Sequence, residues 1–261
     1  MLSWLDLRPR LLAALVVGTL PIVPATGGAA TPTARYEVRF DATWSAASHP
    51  ISFPANAHWS SLIGGTHDAS VHFWNAGELA TQGIQDMAER GLTNPLDLEV
   101  EAAITAGHAG EVIRGGGIAV SPGTVATTFE VTQSFPLVTL VTMIAPSPDW
   151  FVGVSSLSLL QGDEWIGLVH VPLFAWDAGT DSGTSYTSPN QPTNPHVPIA
   201  PNGAAPFANG TPLGIFTFTR VDAPITTQVP AASPLGLLAL AIALLLVGGW
   251  LAARRWRSSL R

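Results

Sequence analysis

The residues best placed to do chemistry lie between Thr142 and Tyr186, in the stretch TMIAPSPDWFVGVSSLSLLQGDEWIGLVHVPLFAWDAGTDSGTSY. Asp149, Asp177 and Asp181 each stand there in a turn-rich setting beside Trp, Pro or Gly, and the stretch has no lysine, arginine or cysteine. Loop carboxylates without basic partners repel one another. A hard cation removes that cost, and Ca²⁺ takes about six to eight oxygens from carboxylates, backbone carbonyls and water. Cation binding is therefore the chemistry expected of this segment.

Spacing alone leaves a second reading open. The run Asp177-Ala-Gly-Thr-Asp181 is not an EF-hand loop, which places oxygens at every second residue. Gly179 and Gly183 let the backbone turn its carbonyls toward an ion, but two Asx-type turns capped by aspartate fit the same letters. The tetrapeptides beginning at Asp177 and Asp181 also imitate the Asp-Ser/Thr-Gly-Thr signature of aspartic proteases. That chemistry needs two carboxylates sharing a proton, delivered from separate lobes or subunits, and two copies in one loop cannot supply it. His49, His58 and His67 recur every nine residues, followed by His72. The spacing matches no local zinc motif, and turn-stabilising hydrogen bonds are the better reading. Ser155, Ser156 and Ser158 lack a Gly-x-Ser-x-Gly elbow. The glycines at 115–117 have no following Gly-Lys-Ser/Thr to make a phosphate cradle.

These loops must be held by strands. Residues 35–44 (RYEVRFDATW) alternate apolar and polar side chains, the pattern of a half-buried strand. Further strand-like runs are 70–74, 96–104, 111–120, 124–135, 137–144, 150–160, 165–173 and 213–221. One segment breaks the pattern: 78–90 places Leu79, Ile84, Met87 and Ala88 near one helical face, with Gly91 as a stop. The expected fold class is all-β, an antiparallel β-sandwich with one short helix. Residues 188–214, rich in Pro, Asn, Ala and Gly, read as a long loop packed over it.

The two ends differ from the body. Arg8 and Arg10 precede an apolar run and the small residues ATGGAA, the layout of a secretory signal peptide over 1–30, with cleavage near Ala25 or Ala30. Residues 235–253 are uncharged and mostly apolar, about 28 Å as a helix and enough to cross a bilayer. Arg254, Arg255, Arg257 and Arg261 follow, which predicts a basic cytoplasmic tail at 254–261 and an exported body. Residues 223–234 form the spacer. All eleven basic residues are arginines, and there is no cysteine for a disulfide or a thiolate site. Between residues 31 and 229 five arginines face 17 acids, a formal charge of −12. That excludes nucleic-acid binding, which needs basic stripes.

The motifs carry a resemblance. FDATWS (40–45), His49-Pro50, HWS (58–60), LIGGTH (62–67), PSPDW (146–150) and WDAGTDSG (176–183) with Tyr186 resemble the spondin-domain family, in order, over roughly 35–222. The resemblance implies an antiparallel β-sandwich similar to calcium-dependent phospholipid-binding modules. It also implies a Ca²⁺ site whose side-chain ligands are Asp149, Asp177 and Asp181, and no known metal role for His49, His58 or His67. Animal members carry cysteines and thrombospondin repeats, and this chain has neither. The end of the chain is similar to bacterial sorting tails of the PEP-CTERM type: VPAASP, an apolar helix and a basic cluster, without the glutamate-proline of that motif. The resulting expectation is an exported bacterial protein at the cell envelope or surface. It would be anchored by its C-terminal helix or released after processing of the tail. It would bind calcium together with a protein, glycan or lipid ligand, in adhesion or surface interaction, and would not be an enzyme. The alternative is an extracytoplasmic hydrolase.

Overall fold

The computed structural model describes residues 32–222. The expected leader at 1–30, spacer at 223–234, membrane helix at 235–253 and basic tail at 254–261 lie outside the described residues. Among the described residues no helix is long and apolar enough to cross a membrane.

The elements in chain order are β1 (Thr33–Ala42), β2 (His58–Trp59), β3 (Ile63–His67), α1 (Gln82–Arg90), α2 (Leu96–Thr105), β4 (Ala109–Arg114), β5 (Gly123–Thr132), β6 (Leu137–Ala145), β7 (Trp150–Ser158), β8 (Leu160–Gln161), β9 (Glu164–Trp165), β10 (Leu168–Leu173), β11 (Trp176–Asp177), β12 (Ala200–Pro201) and β13 (Gly214–Arg220). One sheet has the order β10-β13-β1-β5, and the other runs β12-β11-β7-β6-β3-β4 with β2 also paired to β6. The pairings are antiparallel, so the expected all-β sandwich is the fold observed. Strand β1 alternates as its sequence requires. Ala34, Tyr36, Val38, Phe40 and Ala42 are buried, while Arg35 and Arg39 face solvent. Between the sheets Phe40 meets Trp59 and Phe216 edge-on, at centroid distances of 4.8 and 5.2 Å. Such edge-to-face contacts add to the burial of the rings themselves.

A second core lies on the other side of the larger sheet, where Ile63, Val141, Met143 and Phe151 meet Ile84, Met87, Leu96 and Val100 of the two helices. Helix α1 begins at Gln82, later than its expected start at residue 78. The Thr81 hydroxyl accepts from the Ile84 N–H, and Gly91, at φ 67, closes the C-terminus. Leu79 therefore precedes the helix and is exposed. Helix α2 corrects the strand expected over 96–104. Its sequence alternates Leu96, Leu98 and Val100 with Asp97, Glu99 and Glu101, which imitates a strand. Other contacts decide the outcome. Leu96 and Val100, one helical turn apart, bury in the second core, Leu96 beside Gly83 of α1 and Val100 beside Gly65 of β3. Glu99 accepts from the Gly83 N–H (2.7 Å) and the Thr81 hydroxyl (2.8 Å). Arg114 ties Asp97 to Glu101. Leu98 is left in solvent.

Residues 70–74 are likewise not a strand, because the Asp68 carboxylate accepts from the Ser70 N–H at 2.7 Å and bends the chain. The strand expected over 111–120 ends at Arg114, where three glycines follow. The loop between β12 and β13 sends Phe207 into the main core, and Ile199, just before β12, enters the second.

Candidate metal centre

Asp149 immediately precedes β7, which Trp150 opens; Asp177 closes β11 and stands opposite Trp150 in the pairing of these two strands. This register brings PSPDW and WDAGTDSG together. Ser147 shapes the first loop: its hydroxyl accepts from the Trp150 N–H at 3.1 Å. The loops are then joined through Asp149. Its carbonyl accepts from the Ala178 N–H at 3.1 Å. Its Oδ2 accepts from the Thr180 N–H (2.8 Å), the Asp181 N–H (3.1 Å) and the Thr180 hydroxyl (3.3 Å). Asp177 and Asp181 each accept from the backbone N–H two residues on, Gly179 at 2.9 Å and Gly183 at 2.7 Å. These are the two Asx turns that the spacing allowed. Asp181 Oδ2 also accepts from the Gln191 N–H at 2.9 Å, which draws the 188–192 segment inward. Gly179 is at φ 74, and a Cβ there would lie 2.1 Å from the Val197 carbonyl oxygen, so no other residue fits that turn.

The electrostatics are unfavourable as the cluster stands. Asp149 is fully buried and Asp181 is 5% exposed. No arginine pairs with any of the three; the ion pairs among the described residues lie elsewhere. Burial, then the neighbouring Asp177 charge, push the Asp149 carboxyl up to about 6, against the backbone N–H bonds that pull it down. Burial likewise raises Asp177. Asp149 Oδ1 is buried without a hydrogen-bond partner, an unusual state for a carboxylate oxygen. Among the described residues no three His, Cys, Asp or Glu side chains converge closely enough to ligate one ion as they stand. The Asx turns explain this, because they point oxygens of Asp177 and Asp181 at their own loops. The donor chemistry nonetheless fits a hard cation: all-oxygen, anionic, lysine- and arginine-free, with one buried oxygen uncommitted.

The histidines do not form a site. The His49 ring meets the Thr211 carbonyl (3.2 Å) and the Ser48 hydroxyl (3.0 Å), and half-buried His58 meets the Asn56 carbonyl (2.7 Å). His67 is fully buried between the Asp68 carbonyl (2.8 Å) and the Thr139 hydroxyl (2.9 Å). Burial lowers both His49 and His67, so each is neutral at pH 7.

Two features escape a reading of the sequence. Thr180 supplies two of the donors on Asp149, and nothing in its type marks it out. A cleft of about 580 Å³ opens beside Asp181, between Ser147, Pro148, Ser188 and Asn190 on the loops and Gln82, Gln85, Asp86, Glu89 and Arg90 of α1. The helical side of this cleft is the polar face of a helix far away in sequence.

An antiparallel sandwich carrying a second, helix-covered core and a buried aspartate cluster on its loops defines the class of module. The chain belongs to the spondin amino-terminal domain family: the Spondin_N model matches residues 34–208. Rat Spondin-2 is 39% identical over 172 residues, covering 64% of this chain and 52% of the relative. Human Spondin-2 is 37% identical over 197 residues, covering 71% and 59%. Human Spondin-1 is 37% identical over 180 residues, covering 65% and 22%. The chain thus spans little more than half the length of the Spondin-2 relatives and about a fifth of Spondin-1.

Asp149 offers a direct check of these electrostatics. A carboxyl raised in the fold costs stability when ionised. That cost is absent below the usual value of 3.8, grows as pH rises, and is complete above about 6. In chelator at pH 7, Asp149→Asn should be more stable than the parent by on the order of 2–3 kcal/mol, and the gap should close by about pH 4. His49 and His67 act in the opposite direction over this range but are common to both proteins and cancel. Paired thermal melts across this pH range read the difference; a parent that is the more stable at pH 7 without metal contradicts it.

Proposed function

We propose that this chain is an exported binding module in which Asp149, Asp177 and Asp181 hold a calcium ion and the adjoining loops engage a surface or extracellular ligand. The observation that carries this reading is the unpartnered, buried Asp149 Oδ1 among carboxylates that no basic residue neutralises. A divalent cation would supply the missing charge and give that oxygen its partner. Asp177 and Asp181 would join it by turning oxygens away from the Gly179 and Gly183 N–H groups. Because Asp181 also anchors Gln191 and lines the cleft, the ion would stiffen the segment on which a partner rests. Ordering in advance reduces the entropy lost on binding. The ligand would be a protein, glycan or lipid group read in that cleft.

Binding is favoured over hydrolysis because Ser155 and buried His67 are committed to structural hydrogen bonds. The Ser155 hydroxyl donates to the Trp74 carbonyl, and the Thr139 hydroxyl is enclosed with His67. The terminal segments support export, membrane anchorage and a sorting-type tail of the kind bacteria use, on the residue patterns at 1–30 and 229–261 alone.

Two measurements test this. Millimolar calcium should raise the melting temperature of the full-length chain; at about 100 times Kd, binding contributes roughly 2.7 kcal/mol. Asp181→Asn should lose most of the rise. No shift in the parent, or a calcium-dependent turnover of peptide, ester or glycan substrates abolished by Asp181→Asn, would displace the proposal. For the topology, protease shaving of intact cells or spheroplasts should remove the body and spare a C-terminal tag; a full-length protein found in the cytoplasm contradicts anchorage.

A further inference from the structure

Three buried side-chain polar atoms have no hydrogen-bond partner among the described residues, and two of them belong to consecutive residues: Asp149 Oδ1, an acceptor, and Trp150 Nε1, a donor. Trp150 is 2% exposed, so its indole N–H gains nothing from water. It is also immobile. Its ring meets Tyr186 and Phe207 edge-on at centroid distances of 5.5 and 5.2 Å, and the Tyr186 hydroxyl in turn accepts from Trp44 Nε1 at 3.3 Å. The strand pairing sets Trp150 opposite Asp177. In this arrangement the indole N–H falls short of hydrogen-bond geometry to that carboxyl.

Asp177 Oδ1 is occupied by the Gly179 N–H at 2.9 Å. To offer an oxygen to an ion, this carboxylate must rotate out of its Asx turn. A half-buried carboxylate that rotates needs a new donor for the oxygen it does not commit to the ion. The indole N–H is buried, unspent and directly across the strand pair. We propose that Trp150 is a positioning residue of the aspartate cluster: its indole N–H takes one oxygen of Asp177 and thereby aims the other at the cation. This rests on the cation reading above and adds to it. The site is set by a rigid aromatic platform of Trp150, Tyr186 and Phe207 as well as by its carboxylates.

The test uses the full-length chain labelled with ¹⁵N, whose tryptophan indole N–H signals are resolved by NMR, with that of Trp150 assigned through its sequence neighbours. In Asp177→Asn the calcium response of the Trp150 signal should be lost. In the parent, calcium should move it downfield, as expected of a strengthened hydrogen bond. Trp150→Phe keeps a ring against Tyr186 and Phe207 and removes the donor along with the indole's second ring; by titration calorimetry it should bind calcium roughly tenfold more weakly at unchanged stoichiometry. A signal that calcium does not move in a parent that binds it overturns the proposal, as does a folded Trp150→Phe chain that binds within about twofold of the parent. Should Trp150→Phe fail to fold, the calcium response of the parent's Trp150 signal decides alone. A parent that binds no calcium refutes the cation reading. The positioning role is refuted separately, by calcium that binds without moving the Trp150 signal.

Discussion

A carboxylate can be buried only if something takes up its charge. In this domain backbone N–H groups take part of it. Asp149 Oδ2 gathers those of Thr180 and Asp181, and the Ala178 N–H binds the Asp149 carbonyl. The result is a loop pair joined by the chain's own hydrogen bonds, with Asp149 Oδ1 left without a partner among the described residues. Much of the surrounding architecture serves to keep that residue in place. The β7–β11 pairing fixes the register, Ser147 folds the entry loop, and Trp150 anchors the strand in an aromatic cluster that also holds Tyr186 and Phe207.

The same arrangement makes the site local. Strand β1, paired on both sides and buried along one face, belongs to the other sheet and makes no hydrogen-bonded pair with the aspartate loops. Gain or loss of an ion should therefore act on the loop pair and on the 188–192 segment, which hangs from Asp181 Oδ2. The helical insertion between β3 and β4 enters the site from outside the sandwich. Its packing in the second core is independent of the aspartates, yet it delivers the polar face of α1 to the cleft beside Asp181. A partner seated there would touch both, so affinity would depend on the loops' rigidity as well as on the helix surface.

Local alternation made β1 legible, strand-like runs marked β6, β7 and β13, and the two aspartate motifs marked loops that the fold brings together. Alternation also misled. In α2 the run Leu96, Leu98, Val100 carries a strand's period, and only its neighbours decide for a helix: Glu99 under α1 and Arg114 across two acids. The start of α1 was missed for a similar reason, since Leu79 fits the helical face by spacing but precedes the Thr81 cap. At the site, residue types identified the carboxylates but not their orientation. Both readings of WDAGTDSG have a physical basis: the Asx turns are formed, and they leave Asp149 without a charge partner. Thr180, Trp150 and the α1 face became visible only through contacts distant in sequence.

The central claim is that this buried deficit is a cation site, and a crystal structure grown in millimolar calcium tests it most directly. The account predicts one ion within about 2.3–2.6 Å of Asp149 Oδ1 and of oxygens from Asp177 and Asp181, with those two carboxylates rotated out of their turns. Crystals that show no ion there, with the Asx turns intact and Asp149 Oδ1 facing only protein, would contradict it.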